Sequence, residues 1–136
     1  MPDLESIQRV LEPLFPGLMG VTLVEATPER VVATMRVRPD LCTTGESVHG
    51  GALMAFADAL GGVGTFMNLP QGARTTTVES KTNFIAGAGV GATLTAECTP
   101  FHRGRTTMVW QTLIRRDDGK LCAVVSQTQL VIPAPK

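Results

Sequence analysis

The sequence of 136 residues lacks an excess of charge of either sign. Twelve lysines and arginines balance twelve aspartates and glutamates, so the formal net charge is zero. A balanced chain has no strong basic field to attract a nucleic-acid backbone or an anionic membrane surface. We therefore expect no nucleic acid among its partners. A local basic group at His102, Arg103 and Arg105 fits either a small phosphorylated ligand or a solvated turn.

Cysteine is also scarce. The three cysteines, Cys42, Cys98 and Cys122, are odd in number and form no CxxC or CxxH spacing. This pattern argues against a disulfide framework and against a zinc site, so we expect reduced thiols and no bound metal. The first residues are acidic and lack the basic and apolar regions of a signal peptide. We therefore expect a cytoplasmic protein.

The chain has one long apolar run, residues 48–67, but this run does not read as a membrane span. Asp58 would lie near the middle of the bilayer, at a cost of a few kcal/mol, and five glycines weaken the segment further. The same run is rich in residues that favour helices and is apolar on every side, which is typical of a helix enclosed by protein. We expect no contact with a membrane and a central buried helix.

The remaining composition is that of a folded globule. Hydrophobic residues make up 43% of the chain and charged residues 18%, which is enough apolar material for a core. The length suits one domain, which we assign to residues 1–136.

Periodicity predicts an α+β fold in which an antiparallel sheet covers one helix. The alternation of apolar and polar residues predicts strands, and three- and four-residue spacing predicts helices. The long helix is expected to begin at Ser47 and to end at residues 68–70, and the later strands are expected to form an antiparallel meander. The other predicted elements are a helix at residues 3–14, a hairpin of 21–26 and 31–37, a loop at 39–45, and strands at 74–84, 92–100, 106–116 and 121–132.

Two features near the long helix suggest chemistry. Asp58 is a carboxylate in an apolar helix, and a buried charge needs either an ion-pair partner or a functional reason. The segment His49-Gly50-Gly51 lies where the chain enters the helix, so the N–H groups of both glycines are first-turn donors without helical acceptors. Such donors at the positive end of a helix dipole can form an oxyanion hole.

Helix geometry separates these two features. Gly50 and Asp58 are eight residues apart, or about 12 Å along one helix, so both cannot touch one carbonyl group. If they cooperate, Gly50 of one protomer must face Asp58 of another across a two-fold interface. His49 cannot form a dyad with Asp58 on the same helix. We expect His49 to fix the loop by hydrogen bonds, with contact to substrate as its secondary role.

These motifs resemble the hotdog-fold acyl-CoA thioesterases, in the branch of the phenylacetate-pathway and Arthrobacter-type 4-hydroxybenzoyl-CoA thioesterases. The similarity runs from about Val21 to Ile132. It is carried by GESVHGGAL at 45–53, Ala57-Asp58, TNFI at 82–85, HRGR at 102–105 and DGK at 118–120. The resemblance implies a hotdog fold, in which an antiparallel sheet wraps around one long central helix.

The resemblance also implies the roles of the site residues. Asp58 would act as nucleophile or general base on an acyl-CoA thioester, and the Gly50 N–H of the opposing subunit would polarise the carbonyl. Thr43 occupies the position of a polar residue, commonly Asn or Gln, that helps to position the attacking water, and Thr76 lies where the family often has Ser or Thr near the carboxylate. The candidates for binding the substrate are Gly51, Asn83, Arg103 and Arg105.

We expect a homodimer, assembled into a homotetramer as a dimer of dimers, with no cofactor beyond the coenzyme A of the substrate. The alternative is an acyl-CoA-binding hotdog protein without turnover, acting as a sensor or accessory subunit. Asp58 favours the enzyme, and Thr43 in place of an amide keeps the alternative open. A hotdog dehydratase is disfavoured because those enzymes use a histidine deep in the site. The sequence does not distinguish an aryl from a medium-chain acyl group.

Overall fold

The computed structural model describes residues 2–136 and contains one six-stranded sheet and one long helix that packs against all six strands. The helices are α1 (Leu4–Leu11), α2 (Phe15–Leu18) and α3 (Gly50–Phe66), with a 3-10 turn at Pro39–Leu41. The strands are β1 (Thr22–Thr27), β2 (Arg30–Arg36), β3 (Arg74–Phe84), β4 (Thr93–Arg103), β5 (Thr107–Arg115) and β6 (Leu121–Ile132). The predicted sheet around a central helix is therefore present.

The strand order is β1-β2-β4-β5-β6-β3, and every neighbouring pair is antiparallel. The predicted meander is correct for β4, β5 and β6 but wrong for β3. This strand pairs with β6, from Arg74 opposite Ile132 to Phe84 opposite Ala123, and β2 takes its place beside β4. Side-chain alternation indicates that a segment is a strand but not which strand it pairs with, so the sequence did not predict the pairing of β3 with β6. The consequence is that β3 lies at a free edge of the sheet.

Strand β4 is longer than predicted. It continues past Pro100 to Arg103, with a β-bulge that leaves Phe101 unpaired between Pro100 and His102. The predicted Asp-Gly turn between β5 and β6 is present, with Gly119 at a φ of 86°.

The N-terminal helix is shorter than predicted. The Asp3 side chain caps it by accepting a 2.8 Å hydrogen bond from the Ser6 N–H, as expected. The helix ends at Leu11 rather than Leu14, because Pro13 has no N–H to continue the ladder. Pro16 does not terminate a helix but lies in the first turn of α2, where a missing N–H costs nothing.

Helix α3 begins at Gly50, three residues later than predicted. The preceding residues are extended because the Val48 N–H bonds to the Ala88 carbonyl and the His49 N–H bonds to the Leu41 carbonyl, each at 2.8 Å. The helix is also less enclosed than its composition indicated. Its inner side buries Phe56 and Leu60 completely, whereas Phe66 remains 49% exposed on the opposite side.

Three glycines in α3 differ in what lies beside them. A Cβ at Gly61 would come within 2.3 Å of the Gln127 amide, and one at Gly64 would come within 2.8 Å of the Trp110 ring. A Cβ at Gly62 would meet nothing within 4 Å. Gly61 and Gly64 therefore permit close packing of the strands, and Gly62 does not serve this purpose.

We predict opposite effects on stability for these glycines. Gly62→Ala is expected to raise the free energy of unfolding by about 0.5–1 kcal/mol, because alanine loses less backbone entropy in a helix. Gly61→Ala, the matched control one residue away, is expected to lower it by about 1–3 kcal/mol through overpacking. Urea denaturation at one protein concentration measures both changes. Equal effects of the two substitutions would contradict this assignment.

Two further observations concern the cysteines and the helices. The three cysteines are free, and burial raises the pKa of the Cys98 thiol to about 12. Of the helices within residues 2–136, none has the length and hydropathy needed to cross a membrane.

Candidate active site

Asp58 lies in the third turn of α3 and is exposed in the single chain, not buried as predicted. The reason is that it lies beside β3, at the free edge of the sheet, rather than over the centre of the sheet. Its carboxylate borders a cavity of about 430 Å³ between α1, α3 and β3. The lining is mainly apolar, and its polar members near Asp58 come from β3 and β6. The residues that line it are Pro2, Ser6, Ile7, Val10, Leu11, Asp58, Ala59, Gly62, Val63, Phe66, Thr75, Thr76, Thr77 and Gln129.

A neighbouring hydroxyl holds the Asp58 carboxylate. Thr77 Oγ1 donates a 2.6 Å hydrogen bond to Asp58 Oδ1. Thr76, the residue expected near the carboxylate, lines the same cavity, but the hydrogen bond comes from the next residue. Asp58 Oδ2 has no hydrogen bond within residues 2–136.

Two buried glutamines stand behind Thr77. Gln129 Nε2 donates to Thr77 Oγ1 and to Gln127 Oε1, each at 2.7 Å, and Gln127 Nε2 donates to the Ala57 carbonyl at 2.8 Å. Gln127 is completely buried and Gln129 is 1% exposed. Sequence reasoning missed both glutamines and Thr77. The available signal was a pair of amides at inward positions of a strand whose other inward residues are apolar.

The start of α3 presents one unengaged N–H group. His49 caps the helix, and its Nδ1 accepts a 2.8 Å hydrogen bond from the Gly51 N–H. The Gly50 N–H, in contrast, has no acceptor within residues 2–136. Of the two glycine donors that the sequence offered, the first is free to bind a ligand and the second is taken by histidine.

Gly50 and Asp58 are not brought together within one chain. Gly50 lines a different cleft, together with Val48, Leu53 and residues 84–87, and Asp58 does not reach it. Phe84, at the end of β3, lies against Gly50, since a Cβ there would be 3.0 Å from the Phe84 ring. The two candidate groups therefore adjoin opposite ends of β3, as half-sites.

Thr43 lines neither of these two clefts. It lies in the exposed loop before His49, where its N–H bonds to the Ser47 carbonyl at 2.8 Å. Gly45 and Glu46 in this loop both have positive φ angles, of 81° and 58°. The value at Glu46 is uncommon for a residue with a side chain. The loop thus has a fixed, tightly turned shape next to the start of α3.

The remaining candidates lie apart from Asp58. Arg103 and Arg105 line one cleft near the end of α3. Arg103 is partly engaged, by the Pro28 carbonyl at 3.3 Å and by Glu29 at 3.7 Å, while Arg105 makes no hydrogen bond within residues 2–136. Asn83, on the exposed strand β3, accepts a 3.1 Å hydrogen bond from Lys81. In the part of the chain that the structure describes, no three metal-ligating side chains cluster.

Comparison with known proteins identifies similar chains. The family model described as thioesterase superfamily matches residues 45–123. A Deinococcus radiodurans protein with the provisional name of esterase is 35% identical over 84% of this chain and 71% of its own length. The Escherichia coli 1,4-dihydroxy-2-naphthoyl-CoA hydrolase is 24% identical over 95% of this chain and 94% of its own. A solved thioesterase from Haemophilus influenzae matches with a TM-score of 0.93 and 26% identity, covering 100% of this chain and 94% of that one. The predicted hotdog fold is confirmed.

Proposed function

Since the chain belongs to the thioesterase superfamily and is a hydrolase of that class, we propose that it hydrolyses acyl-CoA thioesters to the free acid and CoA. In this proposal Asp58 is the nucleophile or general base, and the Gly50 N–H of the opposing subunit is the oxyanion donor. The name of the E. coli relative, which specifies an aroyl-CoA substrate, supports the choice of CoA thioesters.

The observation that carries this proposal is the placement of the two half-sites at opposite ends of a free edge strand. Thr77 contacts Asp58 and Phe84 contacts Gly50, and both belong to β3. If two copies of β3 pair antiparallel about residue 81, residue 79 of one lies opposite residue 83 of the other, and the bulge at residue 78 then brings residue 77 opposite residue 84. Asp58 of one protomer then approaches Gly50 of its partner, and the two-fold axis generates two such sites.

The chemistry follows from these positions. The Gly50 N–H donates to the thioester carbonyl oxygen and stabilises the charge that develops on it at the helix N-terminus. In one route Asp58 Oδ2 attacks the carbonyl carbon, the C–S bond breaks, and water then cleaves the anhydride. In the other route Asp58 takes a proton from water as its oxygen attacks, and the departing thiolate receives a proton. Thr43 and Thr76 are retained as candidates for positioning the water and the carboxylate.

The binding groups are proposed by position. Gly51 borders the oxyanion donor, and Arg105, with Arg103 and Asn83, supplies donors for the phosphates and adenine of CoA. The cavity beside Asp58 takes the acyl group, and its volume of about 430 Å³ suits an aromatic ring or a medium chain. We further propose that the enzyme acts in the cytoplasm, in keeping with its three free cysteines.

A panel of thioesters tests the activity. Phenylacetyl-CoA, 4-hydroxybenzoyl-CoA, acetyl-CoA, hexanoyl-CoA and palmitoyl-CoA are assayed by release of free thiol. We expect many turnovers per site, and the highest kcat/KM on the aryl and medium-chain members. The alternative, an acyl-CoA-binding protein without turnover, predicts saturable binding and no thiol release. No turnover of any CoA thioester by the folded protein would contradict the proposal.

The proposal also requires association of the chains. Sedimentation velocity is expected to give a homodimer or a homotetramer built as a dimer of dimers, because one chain holds only half of each site. An active monomer at assay concentration would contradict the shared site.

A further inference from the structure

The carboxylate of Asp58 is held by a single hydroxyl, and that hydroxyl needs a fixed direction. A threonine O–H has one proton and can rotate toward any acceptor. Gln129 Nε2 donates to Thr77 Oγ1 at 2.7 Å and so occupies one lone pair of that oxygen. The Thr77 proton is then directed to Asp58 Oδ1, at 2.6 Å.

The direction of the Gln129 amide is itself fixed. Its Nε2 also donates to Gln127 Oε1 at 2.7 Å, and its Oε1 lies 2.9 Å from Thr75 Oγ1, whose single proton is shared with the Leu130 carbonyl at 3.0 Å. A flipped Gln129 would bring two carbonyl oxygens together. Gln127 cannot flip in response, because its Nε2 donates to the Ala57 carbonyl at 2.8 Å. The donors and acceptors of this network are therefore fixed. Gln129 Nε2 donates to Thr77 and to Gln127, and Thr77 donates to Asp58.

This hydrogen-bonded network places two polar side chains inside the apolar core. Gln127 and Gln129 occupy inward positions of β6, where their neighbours Val125 and Val131 are apolar. Burial of an amide is favourable only when its hydrogen bonds are made. Gly61 is a weak helix former, but it leaves space for the Gln127 amide, since a Cβ there would be 2.3 Å from that amide. A plain apolar core would need none of these features.

We propose that Gln129 and Gln127 are positioning residues for the reaction. Through the Thr77 hydroxyl they hold Asp58 in one rotamer, with Oδ1 bound and Oδ2 free to attack the thioester or to accept a proton from water. This inference rests on the proposed function, in which Asp58 is the catalytic carboxylate.

Kinetics of four variants test the proposal, on the thioester of the panel that the wild type hydrolyses fastest. Thr77→Val and Gln129→Leu are each expected to lower kcat about tenfold, with KM within about twofold, because a bond to the charged group is lost or misdirected. Thr77→Ser keeps the hydroxyl and is expected to retain wild-type kcat. The double variant of Thr77→Val with Gln129→Leu is expected to match Thr77→Val alone, because both act through one hydrogen bond.

A matched control removes a buried hydrogen bond elsewhere on α3. Thr65 Oγ1 accepts a 2.8 Å bond from the Trp110 indole, away from Asp58. Thr65→Val is expected to lower the free energy of unfolding while leaving kcat unchanged. Unchanged kcat in Gln129→Leu, additive losses in the double variant, or a Thr77→Ser as slow as Thr77→Val would each overturn the proposal.

The same series separates this inference from the proposed function. If Gln129→Leu does not fold, the comparison of Thr77→Val with Thr77→Ser still tests the proposal, because valine has the shape of threonine and suits a strand, and serine keeps the hydroxyl. Asp58→Asn is assayed alongside. A slow Asp58→Asn with a normal Thr77→Val overturns only the positioning role, whereas a normal Asp58→Asn overturns the proposed function itself.

Discussion

Asp58→Asn is expected to lower kcat for acyl-CoA hydrolysis by about a hundredfold or more, because the amide can neither attack a thioester nor take a proton from water. Asparagine keeps the size of the side chain and an oxygen that can accept from Thr77. KM is expected to change little, since the substrate contacts remain. The measurement is steady-state kinetics on the best thioester of the panel, with far-ultraviolet circular dichroism to verify folding.

The matched control for Asp58→Asn is Asp117→Asn. Asp117 is exposed and, within residues 2–136, accepts one hydrogen bond, of 3.3 Å from the Thr93 N–H. It lies far along the chain from α3. It loses the same charge without touching the proposed site, so wild-type kcat is expected. If folded Asp58→Asn retained a kcat similar to that of the control, Asp58 would have no part in the reaction.

Gly50→Pro is expected to lower kcat by about 10²–10³-fold, the usual effect of removing one oxyanion donor. Proline removes the N–H and is well suited to this position. Gly50 is the first residue of α3, where proline is favoured. His49 before it has φ −67° and ψ 137°, the extended conformation that proline requires of the preceding residue. The helix is therefore expected to persist.

Gly50→Ala separates the loss of the N–H from the gain of a side chain. Alanine adds a Cβ close to the Phe84 ring but keeps the N–H, and Phe84 is 55% exposed and free to shift. We expect Gly50→Ala to retain most of its kcat. Equal kcat values for the proline and alanine variants would show that the N–H is not the donor.

The sequence predicted the elements of the fold better than their arrangement. The residue pattern of β3 and β6 predicted both strands at their observed bounds, since each is a long strand of more than ten residues bounded by turn residues. The same pattern could not reveal that β3 pairs with β6, because pairing depends on the whole sheet. Asp58 is exposed because of where the edge strand β3 lies beside α3. The composition of the helix does not contain this information, and it therefore predicted wrongly that Asp58 is buried.

The part of the site that depends only on local backbone chemistry could be predicted from the sequence. His49-Gly50-Gly51 marks a helix start in any context, and the structure adds that histidine takes one of the two donors. The contact between Thr77 and Asp58 joins residues 19 positions apart, next to a bulge between Thr77 and Glu79 that shifts the alternation of β3. No periodic pattern anticipates such a shift, which is why Thr77 and the glutamines behind it were missed.

Complementation between two inactive variants tests most directly whether Asp58 and Gly50 meet across an interface. Asp58→Asn and Gly50→Pro are each expected to retain about one hundredth of wild-type activity or less, and a dimer containing one chain of each has one site with both groups intact. Equal co-expression is expected to restore about a quarter of wild-type activity, because half of the dimers are mixed and half of their sites are complete. A co-expressed mixture that contains mixed dimers but is as inactive as either variant alone would contradict the shared site.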